Sequence, residues 1–301
     1  MAGDGPSAAR ESNGEELREF AFSAADFRRV QQLIKTRAGI DLGANKQSLV
    51  YGRLARRLRT LGIRTFADYL ALVDDEASDE AGRFVNAITT NVTEFFRENH
   101  HFEFLARTVL PTLWTRQGPG AQRVRLWSAG CSTGEEPYSL AMTVRENMPP
   151  SGTWDIKILA SDLDTDVLAH AREGIYPAER IEKISPARLA KFFRRGGAGG
   201  AYQASPDLRA LITFNQLNLM EPWPMKGPFD VILCRNVVIY FDDATKQELV
   251  QRYRSMLSAG GYLLLGHSES LVGSGAGLGF ASCGKTIYRK VAAPGTRTKE
   301  S

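Results

Sequence analysis

The sequence predicts an α/β fold: a largely parallel sheet covered by helices, preceded by a small all-α domain. Two observations carry this. Residues 15–90 show helical periodicity and no convincing strand. From residue 123 onward, short β-rich runs alternate with helical segments, the texture of a sheet buried on both faces.

The helical half is read from its spacing. "SAADFRRVQQLIKTRAGI" puts Phe27, Val30, Leu33 and Ile34 on one face, with Ser23 as N-cap. "NKQSLVYGRLARRLRTLG" starts at Asn45, stops at Gly62 and turns Val50, Leu54, Leu58 and Leu61 to one side. "TFADYLALV" and "EAGRFVNAITTNVTEFF" complete the bundle. In the second half "VRLWSAG", "DIKILASD", "FDVILCRN" and "GYLLLGHS" read as strands, with "TIYRK" as a last one. "GEEPYSLAMTVREN", "TDVLAHAREG" and "DATKQELVQRYRSML" are helices following the first three, while "RRGGAGGAYQASPD" and "LVGSGAGLGF" read as glycine-rich loops. The expected division is a disordered tail over 1–14, a helical domain over 15–90, the α/β domain over 91–291 and a second tail over 292–301.

At 301 residues, 43% of them hydrophobic and 24% charged, the chain has the make-up of a soluble globular protein with room for two domains. No apolar run approaches the ~20 residues of a membrane span, and the N-terminus lacks a signal-peptide core. Cys131, Cys234 and Cys283 lie far apart without CxxC spacing, which fits a reducing cytoplasm and argues against a disulfide framework or zinc site.

In a parallel sheet the ligand crevice lies at the C-terminal strand ends. "SAGCSTGEE", "ASDLD", "CRNV" and "GHSES" all fall there. Four readings compete for the first of these loops. Gly130 and Gly134 are spaced G-x-x-x-G, short of the G-x-G-x-x-G of dinucleotide sites. "GFASCGKT" (Gly279–Thr286) matches the phosphate-loop pattern, but a β-like segment follows where a helix is required. A purely structural βα turn is the third reading. The fourth is S-adenosylmethionine, whose sulfonium, ammonium and ribose diol suit a loop lined with acids: Glu135 can meet a cationic centre and Asp162 can accept from the ribose.

Five segments in order, "TNVTEFFRENHHFEFL", "WSAGCSTGEEPYSLAM", "ASDLDTDVLAHAREGIY", "FDVILCRNVVIYFD" and "LLLGHSES", resemble the chemotaxis receptor methyltransferases of the CheR family, from about Phe22 to Tyr288. The resemblance implies a class I, Rossmann-like methyltransferase domain behind the helical one. It also implies methyl transfer from S-adenosylmethionine to glutamate side chains of chemoreceptor cytoplasmic helices, leaving glutamyl methyl esters and S-adenosylhomocysteine. By position, Asn91, Thr93, Arg97, Glu135, Asp162, Asn218, Leu219, Arg235 and Asn236 would form the cofactor site, with Arg97 facing the cofactor's carboxylate and Tyr240 near the reacting methyl. Each has a plainer reading: Arg97 as a surface charge, Asp162 and Asn236 as helix caps, Glu136 as a helix-dipole acid. His100 and His101, adjacent in sequence with no further ligands nearby, predict no metal. His267 reads as packing or substrate contact.

A glutamate carboxylate is already ionised at neutral pH, so methyl transfer needs alignment and water exclusion and no acid or base. The strand end that holds "CRNV" lacks the [DN]-P-P-[YF] signature of DNA amino-methyltransferases.

Between Asp41 and Asp68 there is no acid but a run of bases: Lys46, Arg53, Arg56, Arg57, Arg59 and Arg64. All but Arg64 are assigned to a helix face for an acidic receptor helix; a solvated surface and nucleic acid are the alternatives, and no base-reading motif supports the last. The region that forms a peptide-docking β-subdomain in some relatives is short and glycine-rich here, so a reduced subdomain is expected. A monomer in the cytoplasm, recruited to receptor arrays without membrane insertion, completes the reading. The rivals are a cofactor-binding regulatory scaffold and a methyltransferase with another acidic substrate.

Overall fold

Capping chemistry sets the first helix. The computed structural model describes residues 18–116, 122–196, 198–271 and 275–291, so the tails expected at 1–14 and 292–301 lie outside the described residues. Helix α1 (Ala24–Ala38) opens on a capping box between Ser23 and Asp26 and ends at Gly39, whose φ is 71°. A side chain at Gly39 would also place its Cβ 2.4 Å from Met220 Sδ, so the left-handed turn is pressed directly against the second domain. Helix α2 (Gln47–Leu61) follows a short 3₁₀ turn over Ala44–Lys46, so it begins later than Asn45, and Gly62 stops it as expected. With α3 (Phe66–Asp74) and α4 (Glu80–Ile88) it encloses Val30, Ile34, Leu54, Leu58, Phe66, Tyr69 and Phe84. Leu61, expected on the inward face, is 40% exposed because the helix ends there.

A continuous helical stretch follows, made of α5 (His100–Phe104), a π-helical turn (Leu105–Val109) and α6 (Leu110–Trp114). The strands are β1 (Arg123–Ala129), β2 (Asp155–Asp162), β3 (Ile175–Tyr176), β4 (Phe193–Arg195), β5 (Tyr202–Ala204), β6 (Ile212–Gln216), β7 (Phe229–Cys234), β8 (Leu257–Leu265), β9 (Phe280–Gly284) and β10 (Ile287–Lys290). Between them lie α7 (Glu135–Asn147), α8 (Thr165–Glu173), α9 (Pro186–Phe192), α10 (Pro206–Arg209) and α11 (Asp243–Met256). The main sheet runs β6-β2-β1-β7-β8-β10-β9, parallel through β8 and antiparallel beyond it. Apolar clusters cover both faces, one around Leu126, Tyr138 and Ile158, the other around Trp127, Ile232 and Tyr253. The chain leaves β1 toward β2 on one side, while β7 pairs on the other, so the switch point lies between β1 and β7.

Four segments depart from the sequence reading. The stretch "EAGRFVNAITTNVTEFF" stays helical only as far as Ile88, where α4 ends, and residues 89–96 are not helical. Strand β6 was unforeseen because, as a sheet-flanking strand, it exposes Thr213, Asn215 and Gln216 to varying degrees and lacks an apolar run. The "GFASCGKT" segment is the β9–β10 hairpin, so no helix follows its glycine–lysine pair and the phosphate-loop reading ends there. The glycine-rich stretch read as a loop contributes β4 and β5 to a three-stranded antiparallel sheet of order β3-β5-β4, the reduced β-subdomain.

The helical domain docks over the C-terminal strand ends through polar contacts. Asp41 N donates to Tyr240 O at 2.8 Å, Asn218 Nδ2 to Arg37 O at 2.7 Å, and Lys35 Nζ lies 3.0 Å from Asp242 Oδ2.

Candidate active site

Beneath that contact lies a cavity of about 520 Å³, a size suited to a small-molecule site. The loop after β1 forms its floor by wrapping around the end of β2. Gly130 and Cys131 both donate backbone N–H groups to Ser161 O, at 2.8 and 2.9 Å. Gly130 has φ 84°, and a Cβ there would come within 2.3 Å of Val237, so only glycine closes this loop against the one after β7. Ser132 N then donates to Asp162 Oδ2 at 2.8 Å, and Asp164 N to Asp162 Oδ1 at 3.0 Å. Asp162 is therefore aimed into the cavity by backbone donors, and it is not a helix cap. That role belongs to Asp164, whose carboxylate caps α8 and also accepts from Asn91 Nδ2 at 2.7 Å.

On the β7 side, Arg235 is almost fully buried. Its guanidinium donates to Glu136 Oε2 at 3.0 Å and to Arg97 O, lies 3.5 Å from Glu98 Oε2, and sits over the Phe102 ring. Asn236 follows in a left-handed conformation, φ 60°, held by Glu269, whose carboxylate accepts from Asn236 N, Gly266 N and Ile239 N. Four of the five non-glycine residues with positive φ among the described residues belong to this region: Phe96, Glu98, Ser132 and Asn236. Such backbone costs roughly 1–3 kcal/mol per residue and persists where the surroundings dictate it, commonly at functional sites.

The electrostatics are acidic and dry. Burial raises the carboxyl of Asp162, despite the backbone donors that oppose it, and burial likewise raises Glu136 and Glu269. Burial also acts on Glu98, but the hydrogen bond from His267 (2.9 Å) and the charge of Arg235 outweigh it and hold Glu98 down at about 2. Desolvation, helped by the charge of Arg235, lowers His101 to about 3, so its ring is neutral at pH 7. One oxygen of the fully buried Glu135 has no hydrogen-bond partner. Carboxylates stripped of water beside a cavity fit a ligand that brings positive charge and hydroxyl donors, as S-adenosylmethionine does.

The expected residues gather largely as anticipated. Asn91, Thr93, Arg97, Asp162, Asn218, Leu219, Arg235, Asn236 and Tyr240 all line the cavity. Glu135 does not: it lies behind the loop, its carboxylate taking a bond from Thr133 and standing 3.6 Å from Arg180 Nη1, while its neighbour Glu136 reaches the wall. Helix geometry explains the exchange, since successive residues at the start of α7 point in different directions. Ser132, Glu98 and Glu269 were also missed; Ser132 and Glu269 lie in strand-end loops that could have drawn notice, whereas Glu98 lies in the turn before α5.

The basic helix needs a correction. Arg57 was placed on an exposed face, but its guanidinium forms a bidentate pair with Glu80, which is 5% exposed and also receives the Tyr69 hydroxyl. Arg53 is half-buried and holds the end of α4 by donating to Ile88 O, Thr89 O and Thr90 Oγ1, while its side also lines the cavity. Lys46, Arg56 and Arg59 remain exposed, Arg59 in a surface pair with Glu19. The histidine pair is less isolated than its sequence suggested: Glu98, His100 and His101 bring ligand-type atoms within 4.8 Å of one another. Arg235, already 3.5 Å from Glu98, would oppose a second cation there.

Comparisons with known proteins identify the family. The family model described as "CheR methyltransferase, all-alpha domain" matches residues 25–89, and "CheR methyltransferase, SAM binding domain" matches 91–287. A "Probable chemotaxis protein methyltransferase" of Rhizobium etli is 46% identical over 260 residues, covering 85% of this chain and 96% of that protein. The "Chemotaxis protein methyltransferase" of Escherichia coli K12 is 44% identical over 273 residues, covering 89% and 91%. One from Pseudomonas aeruginosa, "Chemotaxis protein methyltransferase 2", is 43% identical over 275 residues, covering 90% and 94%. The chain belongs to the CheR methyltransferase family and is an S-adenosylmethionine-dependent methyltransferase of chemotaxis.

Proposed function

We propose that the enzyme methylates glutamate carboxylates on the cytoplasmic helices of chemoreceptors, acting in the cytoplasm as a monomer. The observation that carries this is the cavity itself, acid-lined at the strand ends and opening beside α2, which carries exposed Arg56 and Arg59 and is preceded by exposed Lys46. None of the described helices is long and apolar enough to cross a membrane.

S-adenosylmethionine supplies an electrophilic methyl group on a sulfonium. Asp162 would accept from the ribose hydroxyls, Glu136 would face the cationic end, and Arg97 would pair with the carboxylate. Leu217, Leu219 and Val237 line the cavity and would offer apolar surface to the adenine, with Asn218 nearby. Glu135 would act from behind the wall, fixing the β1 loop through Thr133 and Arg180. No residue is needed to move a proton, because an ionised acceptor attacks directly. The chain's part is to align the reacting atoms, with Tyr240 among the cavity's lining residues, and keep water out.

The test is incubation with methyl-labelled cofactor and a glutamate-rich receptor fragment, followed by mild alkali. Carboxyl methyl esters release labelled methanol. Alkali-stable label would mean an amine or base acceptor, and cofactor binding without transfer would favour a regulatory scaffold.

A further inference from the structure

Among the described residues, five large hydrophobic side chains are substantially exposed, and three of them line this one cavity: Val92 at 75%, Ile239 at 47% and Leu49 at 46%. Single exposed aliphatics are ordinary on a protein surface. Convergence is not, because these come from the segment joining the domains, the turn after β7 and helix α2. Their backbones are fixed while their side chains are left in water. Val92 O accepts from Arg97 Nη1 at 2.7 Å, and Ile239 N donates to Glu269 at 3.2 Å. Lys46 and Arg53 line the same cavity. Exposed apolar side chains beside charged ones are the anatomy of a recognition surface.

Resting on the proposed receptor substrate, we infer that Val92, Ile239 and Leu49 select an aliphatic side chain on the acidic receptor helix, one turn from the glutamate that is methylated. The basic residues attract many acidic helices alike, since charge acts at a distance and with little geometric demand. An apolar contact at the mouth operates only after docking and demands a particular register. On a helix, residues three or four apart share a face, so a glutamate entering the cavity brings its neighbours one turn away onto this rim. The rim would therefore decide which glutamates on an acidic helix are used.

The experiment uses the full chain with Val92→Ser and Ile239→Ser, singly and together, and a receptor fragment whose aliphatic residue one turn from the acceptor is changed to Ser. Each enzyme variant should raise KM for the unaltered fragment about fivefold or more, given the aliphatic area that contact would bury. Affinity for S-adenosylhomocysteine should stay within about twofold, which also reports a folded variant. With the altered fragment the enzyme variants should cost little more, because the contact is already lost. Unchanged KM in an active enzyme defeats the inference alone. Affinity for S-adenosylhomocysteine falling in step with KM also defeats it, assigning these side chains to the cofactor. Wild-type enzyme inactive on every fragment defeats the receptor reading and this inference with it.

Discussion

The strand-end cavity and helix α2 are both dense in charge, yet they are built in opposite ways. Around the cavity Asp162 and Glu136, and Glu269 behind Asn236, are braced by backbone N–H groups, a serine or a buried arginine, and burial has already stripped their water. Along α2 and in the turn before it, the exposed bases Arg56, Arg59 and Lys46 have either no bracing partner of that kind or a single surface pair. The difference teaches that the cofactor site is finished by folding, whereas the substrate surface is left loose and acts through its field. Arg57 crosses that line. It belongs to α2 by sequence and to the braced class by structure.

The comparison is broken most severely at Arg235. Arg235→Ala would leave Glu98 and Glu136 buried without their cation, costing about 3–5 kcal/mol of stability. Urea unfolding of the pure protein measures this, and a loss below about 1 kcal/mol would mean the cluster relaxes into water. Arg57 and Arg56 sharpen it next. Arg57→Ala strands the buried Glu80 carboxylate and should destabilise by about 2–3 kcal/mol, whereas Arg56→Ala on the same helix should change stability by less than about 0.5 kcal/mol. Equal effects of the two would erase the distinction between braced and loose arginines.

This contrast also marks what the sequence could disclose. Asp162 was legible because its strand-end position follows from hydrophobic runs and loop length, whereas Asn236 came only from the family resemblance. Arg57 was not, because Glu80 and Tyr69, which claim it, lie on other helices and no periodicity within α2 reveals them. Glu135 and Glu136 are adjacent acids, and which one reaches the cavity depends on the first-turn direction of α7. Strand β6 and the small sheet were hidden for a related reason: sheet-margin strands with exposed faces lack a continuous apolar signature.

Two smaller effects follow. Asp162→Ala removes a charge-assisted acceptor and should weaken S-adenosylhomocysteine binding by about 1.5–3 kcal/mol, read by calorimetry. His101 supplies a pH dependence. Its folded pKa, about 3, lies below the ordinary value of 6.5, so the unfolded chain binds more protons between those values. Stability referred to His101 is therefore complete above about pH 6.5 and declines as the pH falls toward 3. Comparing wild type with His101→Gln by urea unfolding at pH 7.5 and 5 should show the wild type losing ground at the lower pH. A gap independent of pH would mean that the ring is charged in the folded protein.

The central claim is that cofactor binding resides in the strand-end cavity and substrate attraction on the loose face of α2. Arg56→Glu with Arg59→Glu tests it on one protein, since both side chains are exposed and Arg57 is left in place. Calorimetry with S-adenosylhomocysteine and methylation of a receptor fragment are measured on the same sample. The account predicts unchanged cofactor affinity, methylation reduced at least about tenfold, and wild-type activity that falls as salt shortens the screening length to ~10 Å at 0.1 M and below. Undiminished methylation, or cofactor affinity lost together with it, would contradict the claim.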